Sequence, residues 1–127
     1  MKGRYQGLPK GGIFTKVTGS TFAPGVIDES LVDVGVYLCP VYDNAYDDYA
    51  IEVRRGDNDA RVGYLRAVYS FHLQAYAETH GLSASVRGVT GGTKDKPYRG
   101  LNLYVHTNDG TPLPSKDFML GEGRRAS

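Results

Sequence analysis

The chain has 127 residues, 40% of them hydrophobic and 23% charged, with a formal net charge of +1. That is enough for one domain around one core, and it is the balance of an ordinary globular protein rather than a disordered one. No apolar run approaches the ~20 residues that a bilayer-spanning helix needs, and residues 1–12 lack the apolar stretch of a secretory signal. A cytoplasmic setting with no membrane partner is therefore expected. The single Cys39 cannot form an intramolecular disulfide and reads as a small buried hydrophobe. The small net charge hides a segregation along the chain. Residues 1–27 carry four cations and no acid, residues 28–59 carry nine acids against Arg54 and Arg55, and residues 60–105 carry six cations against Glu78 and Asp95.

In chain order, residues 1–12 contain Gly3, Gly7, Pro9, Gly11 and Gly12 and too few apolar groups to repay ordering, so they read as a flexible arm. Residues 13–107 read as the domain. Its first strand is expected over Ile13 to Phe22, broken by Ala23-Pro24-Gly25. Leu31 to Val41 places Val32, Val34, Val36 and Leu38 on alternate positions, the period of a half-buried strand that ends near Pro40. Tyr49 to Arg55 and Ala60 to Leu65 flank the turn cluster Gly56-Asp57-Asn58-Asp59 and form a hairpin. From Arg66 to His80 neither Gly nor Pro intervenes, and Leu65, Val68, Phe71, His72, Ala75 and Tyr76 recur at helical spacing, with Gly81 placed to cap the end. Leu82 to Val89 and Arg99 to His106 are two more strands, joined by a basic loop around Lys94 and Lys96. Residues 108–127 form a C-terminal extension whose tip is expected to be disordered. Six strands and one helix, from about Arg66 to His80, predict a mainly β fold, a small oligonucleotide-binding-like (OB-like) barrel.

Several chemistries lack their residues. His72, His80 and His106 are not spaced as metal ligands, and Asp57-Asn58-Asp59 lacks the length and terminal Glu of a calcium loop. Gly91-Gly92-Thr93-Lys94 lacks the spacing of a phosphate loop and precedes a strand rather than a helix. No nucleophile and base stand at a marked spacing, so the expectation is a non-enzymatic protein with no cofactor and no metal. The enzymatic alternative is a small hydrolase using Asp43, Asp47, Asp48 and His106.

The distinctive stretch is Asn44-Ala45-Tyr46-Asp47-Asp48-Tyr49-Ala50-Ile51-Glu52-Val53, a polar loop feeding an apolar strand, followed after the hairpin by Val62-Gly63-Tyr64-Leu65. With Val17-Thr18-Gly19-Ser20-Thr21-Phe22 in the first strand, this order resembles the HIRAN domain, a module found alone in bacteria and phage or attached to fork-remodelling helicases. The resemblance runs from about Phe14 to Val105. It implies recognition of the 3′ end of single-stranded DNA, with the terminal base stacked on Phe22 and Tyr46, the 3′-hydroxyl bonded to Asp47, and contacts from Asn44, Tyr64 and Arg66. The residue types suit that chemistry: stacking on an aromatic is tolerant of sequence, and an ionised Asp accepts hydrogen bonds but donates none. Plainer roles stay open beside these. Asn44 and Asp47 are residues that shape an Asx turn, Phe22 is a core type, and Tyr64 fits equally beneath the helix or against a phosphate. The chain departs from the family's eukaryotic members at Thr21 and Ala67, where they place basic residues, and from the family at Ala45 and Tyr49, where Pro and Asn are usual. Phosphate contacts then fall to Arg66, Arg99 or the Lys94 to Lys96 loop. The alternative within the same fold is a protein-interaction adaptor that recruits a nuclease or helicase.

Overall fold

Among the described residues, six antiparallel strands run in the order Val36–Pro40, Ile51–Arg55, Arg61–Leu65, Ile13–Thr18, Gly100–Thr107, Leu82–Thr90, with the two ends of that order curled round into contact. The computed structural model describes residues 8–19, 25–45 and 48–126, with side chains as far as residue 121. In chain order the elements are β1 (Ile13–Thr18), α1 (Leu31–Val34), β2 (Val36–Pro40), β3 (Ile51–Arg55), β4 (Arg61–Leu65), α2 (Ala67–His80), β5 (Leu82–Thr90), β6 (Gly100–Thr107) and α3 (Lys116–Ala126). The architecture is the mainly β, OB-like barrel that the strand spacing predicts. Among the described residues it carries two further helices beside the expected one.

Alternation decides which side chains fill the barrel. In β1, Ile13, Thr15 and Val17 are buried, whereas Lys16 and Thr18 are exposed on the other face. Ile51 and Val53 of β3, Val62 and Leu65 of β4, and Leu101, Leu103 and Val105 of β6 complete the interior. The expected β3–β4 hairpin forms with Glu52 opposite Tyr64 and Val53 opposite Gly63, and a bulge follows before Arg54 meets Arg61. Helix α2 ends where expected. Gly81 takes φ 72°, a left-handed conformation that costs glycine little, and its N–H donates to the Ala77 carbonyl at 3.1 Å.

Two segments differ from the expectation. Leu31–Val34 is a single helical turn rather than the start of a strand, because Val32 faces solvent at 57% exposure while Leu31 is fully buried, and Gly35 at φ 79° breaks the path into β2. The buried face of α2 holds Tyr69, Ser70, Leu73 and Gln74, and Phe71 is 42% exposed. Helix α3 packs on α2 as a second neighbour, with the Phe118 ring 5.8 Å from that of His72, and the buried polar residues of α2 are hydrogen-bonded. Ser70 donates to the Ala67 carbonyl and Gln74 to the Ala50 carbonyl at 3.4 Å. Beyond β6, Leu113 and Met119 enter the same core as the barrel, and Ser115 caps α3 by accepting from the Phe118 N–H. Before β1, the Tyr104 hydroxyl donates to the Pro9 carbonyl and accepts from the Gly12 N–H, and Leu113 N–H donates to Gly11.

Candidate functional site

An open cleft of about 860 Å³ lies along β1, between the outer face of the sheet and the starts of α2 and α3. Its cations are Lys16 from β1, Arg66 at the cap of α2, Arg87 from β5 and Lys116 at the start of α3. Asn102 of β6 and Thr15 and Thr18 of β1 supply neutral polar groups, and no carboxylate of the described residues lines it. Tyr69 forms its floor. That ring is 1% exposed, with the Arg66 guanidinium 5.2 Å and the Lys116 ammonium 5.7 Å from its centroid. Phe14 forms part of the wall, its ring tilted against Tyr104 at 4.8 Å.

The strand register explains why residues so far apart in sequence meet here. Lys16 stands opposite Asn102, so their side chains leave the sheet on the same face. Thr18 pairs with Tyr64 and Val17 with Leu65, and the next step brings Lys16 abreast of Arg66. On the other flank Gly88 pairs with Asn102 and Val86 with Leu103, which leaves Arg87 on a bulge beside the same row. From the hairpin side, two steps beyond the Glu52–Tyr64 pair put Arg66 abreast of Ala50, the last residue of the polar loop before β3. A row of positive charge thus crosses the barrel from the end of that loop to β5.

Of the six site residues expected from sequence, Phe22, Tyr46 and Asp47 lie outside the described residues. Asn44 is half-buried in the loop before β3. Tyr64 is half-buried on β4, where its hydroxyl accepts from Arg61 at 2.9 Å and its carbonyl accepts from the Thr18 hydroxyl at 3.2 Å. Arg66 is exposed and forms a wall of the cleft. The other phosphate candidates sit elsewhere: Arg99 is paired with Glu29 at 2.9 Å, and Lys94 and Lys96 are exposed on the β5–β6 loop and do not line the cleft. Lys16, Arg87 and Lys116 were not singled out in the sequence. A signal for Lys16 was present in the polar face of β1, whereas nothing in the sequence reveals the bulge that turns Arg87 or the fold-back that brings Lys116.

The remaining arginines among the described side chains are engaged with carboxylates. Buried Arg55 donates to both carboxylate oxygens of Asp57 at 2.9 and 3.0 Å, to the Ser30 hydroxyl and to the Val26 carbonyl, and lies 3.4 Å from Asp28. Hydrogen bonds from Ser30 above all, and the Arg55 charge, hold the Asp28 carboxyl below its usual range, and Arg55 does the same for Asp57. Arg54 and Arg61 both reach Glu52, at 2.8 and 3.6 Å. Among the described residues no ion pair involves Lys16, Arg66 or Lys116.

Three of the four residues of the hydrolase alternative fall among the described ones. Asp43 and Asp48 are exposed on the loop before β3, His106 is half-buried on β6 with its Nδ1 2.8 Å from the Thr107 carbonyl, and Asp47 lies outside the described residues. Among the described residues no three His, Cys, Asp or Glu side chains gather as metal ligands, and no helix is long and apolar enough to cross a membrane.

No protein-family model matches the sequence, and no curated protein matches it. Among solved structures, the chain is similar to the HIRAN domain of human HLTF, with a TM-score of 0.56, 19% sequence identity and 79% of each chain covered. The fold is therefore HIRAN-like, as the loop and hairpin motifs imply.

Proposed function

We propose that this HIRAN-like domain is a non-enzymatic module that binds single-stranded DNA, preferentially at a free 3′-hydroxyl end. The observation that carries the reading is the position of Arg66. It stands abreast of the end of the polar loop that holds Asn44, Tyr46 and Asp47, and it walls a cleft lined by cations without a described carboxylate. A strand end seated in the loop meets positive charge at its first phosphates. Tyr46 and Phe22 supply the stacking surfaces, worth ~1–3 kcal/mol per base whatever the base. Asp47 accepts the hydrogen bond of a terminal hydroxyl and repels a terminal phosphate, so end selectivity comes from one ionised group.

The test is a fluorescence-anisotropy titration of one 5′-labelled single strand ending in a 3′-hydroxyl against the same strand ending in a 3′-phosphate. The hydroxyl end binds more tightly by ~1–3 kcal/mol, and Asp47→Asn removes most of the difference. Equal affinity for the two ends in the parent protein refutes end recognition. The second reading, an adaptor that recruits a nuclease or helicase, draws on one observation. Exposed Tyr49, Phe71 and Phe118 form a chain of ring contacts through His72, at centroid distances of 5.0, 5.1 and 5.8 Å, on the surface beside the loop.

A further inference from the structure

We propose that the row formed by Arg66, Lys16, Asn102 and Arg87, with Lys116 above it, is a track for the phosphodiester backbone of the same strand, running 5′ from the end seated in the loop. The inference rests on the reading of the loop as the seat of a 3′ end, and it extends the contact from a terminal nucleotide to several.

The first argument is geometric. The row is transverse to the strands, so each step costs one inter-strand spacing of ~4.8 Å, and the path from Ala50 through β4, β1 and β6 to β5 covers about 19 Å. That length suits an extended strand of about four nucleotides, the low end of what one OB-like fold engages. The second argument is electrostatic. A lone phosphate carries at most about two charges, which Lys16, Arg66 and Lys116 from three separate elements exceed, whereas successive diesters carry one each. Asn102, opposite Lys16, adds an amide donor inside the row. The third argument concerns what the cleft omits. Tyr69 is buried beneath two cations and Phe14 is packed on Tyr104, so the rings serve as floor and wall rather than as free stacking platforms. The track therefore reads backbone charge and is indifferent to base identity. Lys116 arrives only because α3 is anchored by Met119, so the segment beyond β6 completes the cleft.

The experiment uses 5′-labelled oligothymidylates with 3′-hydroxyl ends, about three and about ten nucleotides long, titrated over a range of salt. The longer strand binds more tightly and gives a log-log salt slope of about −2 to −3, while the shorter gives a shallower one. Lys16→Gln and Lys116→Gln each make the longer strand's slope shallower by about 0.7 and weaken its binding about fourfold near 0.15 M salt. Lys16→Arg keeps the parent slope, and the preference for a 3′-hydroxyl over a 3′-phosphate is unchanged in all three variants. The proposal is overturned if the Gln variants melt like the parent yet keep its slope and affinity, or if an acidic phosphopeptide of equal charge displaces the strand as well as unlabelled DNA does. If the parent shows no end preference while the Gln variants still flatten the slope, the end reading falls and the backbone track stands.

Discussion

The arginines of the β3–β4 hairpin and the cations of the cleft have the same charge and opposite circumstances. Arg54, Arg55 and Arg61 are each within ion-pair reach of Glu52, Asp57, Asp28 or Asp59, and Arg55 is buried as the tie between β3 and the segment before α1. Lys16, Arg66 and Lys116 have no such pairing among the described residues, and the wall around them holds no described carboxylate. The comparison explains how a chain of net charge +1 presents a cationic surface. Glu52, Asp28, Asp57 and Asp59 are spent locally, on arginines whose work is to hold the hairpin and its neighbours. Lys16 on β1 and Arg66 and Lys116 at two helix starts are left outside those pairs and gather at the cleft. A partner meets the local field of that cleft, not the average over the molecule.

If this division holds, substitutions in the two regions move different quantities. The largest effect is expected for Arg55→Ala, which leaves two carboxylates, a hydroxyl and a carbonyl without their shared donor. Because both carboxylates are partly exposed and regain water, the loss of stability is about 2–3 kcal/mol by denaturant titration. The salt slope of DNA binding stays as in the parent protein, and a shallower slope breaks the comparison.

Acid sharpens the same point. The carboxyls of Asp28 and Asp57 are depressed for the reasons given above, and Asp109 is held well below its usual range first by the Thr111 backbone N–H and then by His80, 2.6 Å away. A carboxyl depressed in the fold stabilises it fully above its unfolded value near 4, and that contribution is lost as pH falls through the depressed value. Thermal melts are thus expected to hold level with respect to these groups above pH ~5 and to fall progressively below pH ~4. A midpoint that does not fall below pH ~4 contradicts the assigned bonds.

Arg66→Ala removes a cleft cation and its contact with the Tyr69 ring. It is expected to cost only ~0.5–1 kcal/mol of stability yet to make the salt slope for single-stranded DNA shallower by about 0.7. The smallest effect belongs to Tyr64→Phe. Its hydroxyl accepts from the partly exposed Arg61, so stability and DNA affinity should each change by less than ~0.5 kcal/mol. A larger loss of affinity with unchanged stability gives the Tyr64 hydroxyl the phosphate role that its sequence position leaves open.

How much of this was legible in the sequence follows from the range of the interactions. The β3–β4 hairpin, β5, β6 and the Gly81 end of α2 are set by alternation, turn residues and a left-handed cap, which are local, and they appear where the pattern puts them, whereas β1, expected to run to Phe22, ends at Thr18. Alternating valines misled at residues 31–34, because one helical turn that buries Leu31 satisfies the same residues. The burial of Gln74 on α2 was not legible because its partner, the Ala50 carbonyl, is far away in sequence. Arg66 could be singled out beforehand because it directly follows the motif beside the loop. The partners of Arg66 could not, since Lys16, Arg87 and Lys116 join it through pairing register, a bulge and a docked helix.

The most direct test of the account is an amide chemical-shift titration of the labelled protein with a short single strand ending in a 3′-hydroxyl. The account predicts shifts in Thr15 to Thr18, Arg66, Arg87, Asn102 and the loop around Asn44, with the paired hairpin from Arg54 to Ala60 unmoved. Shifts concentrated on that hairpin, or none at saturating DNA, would contradict it.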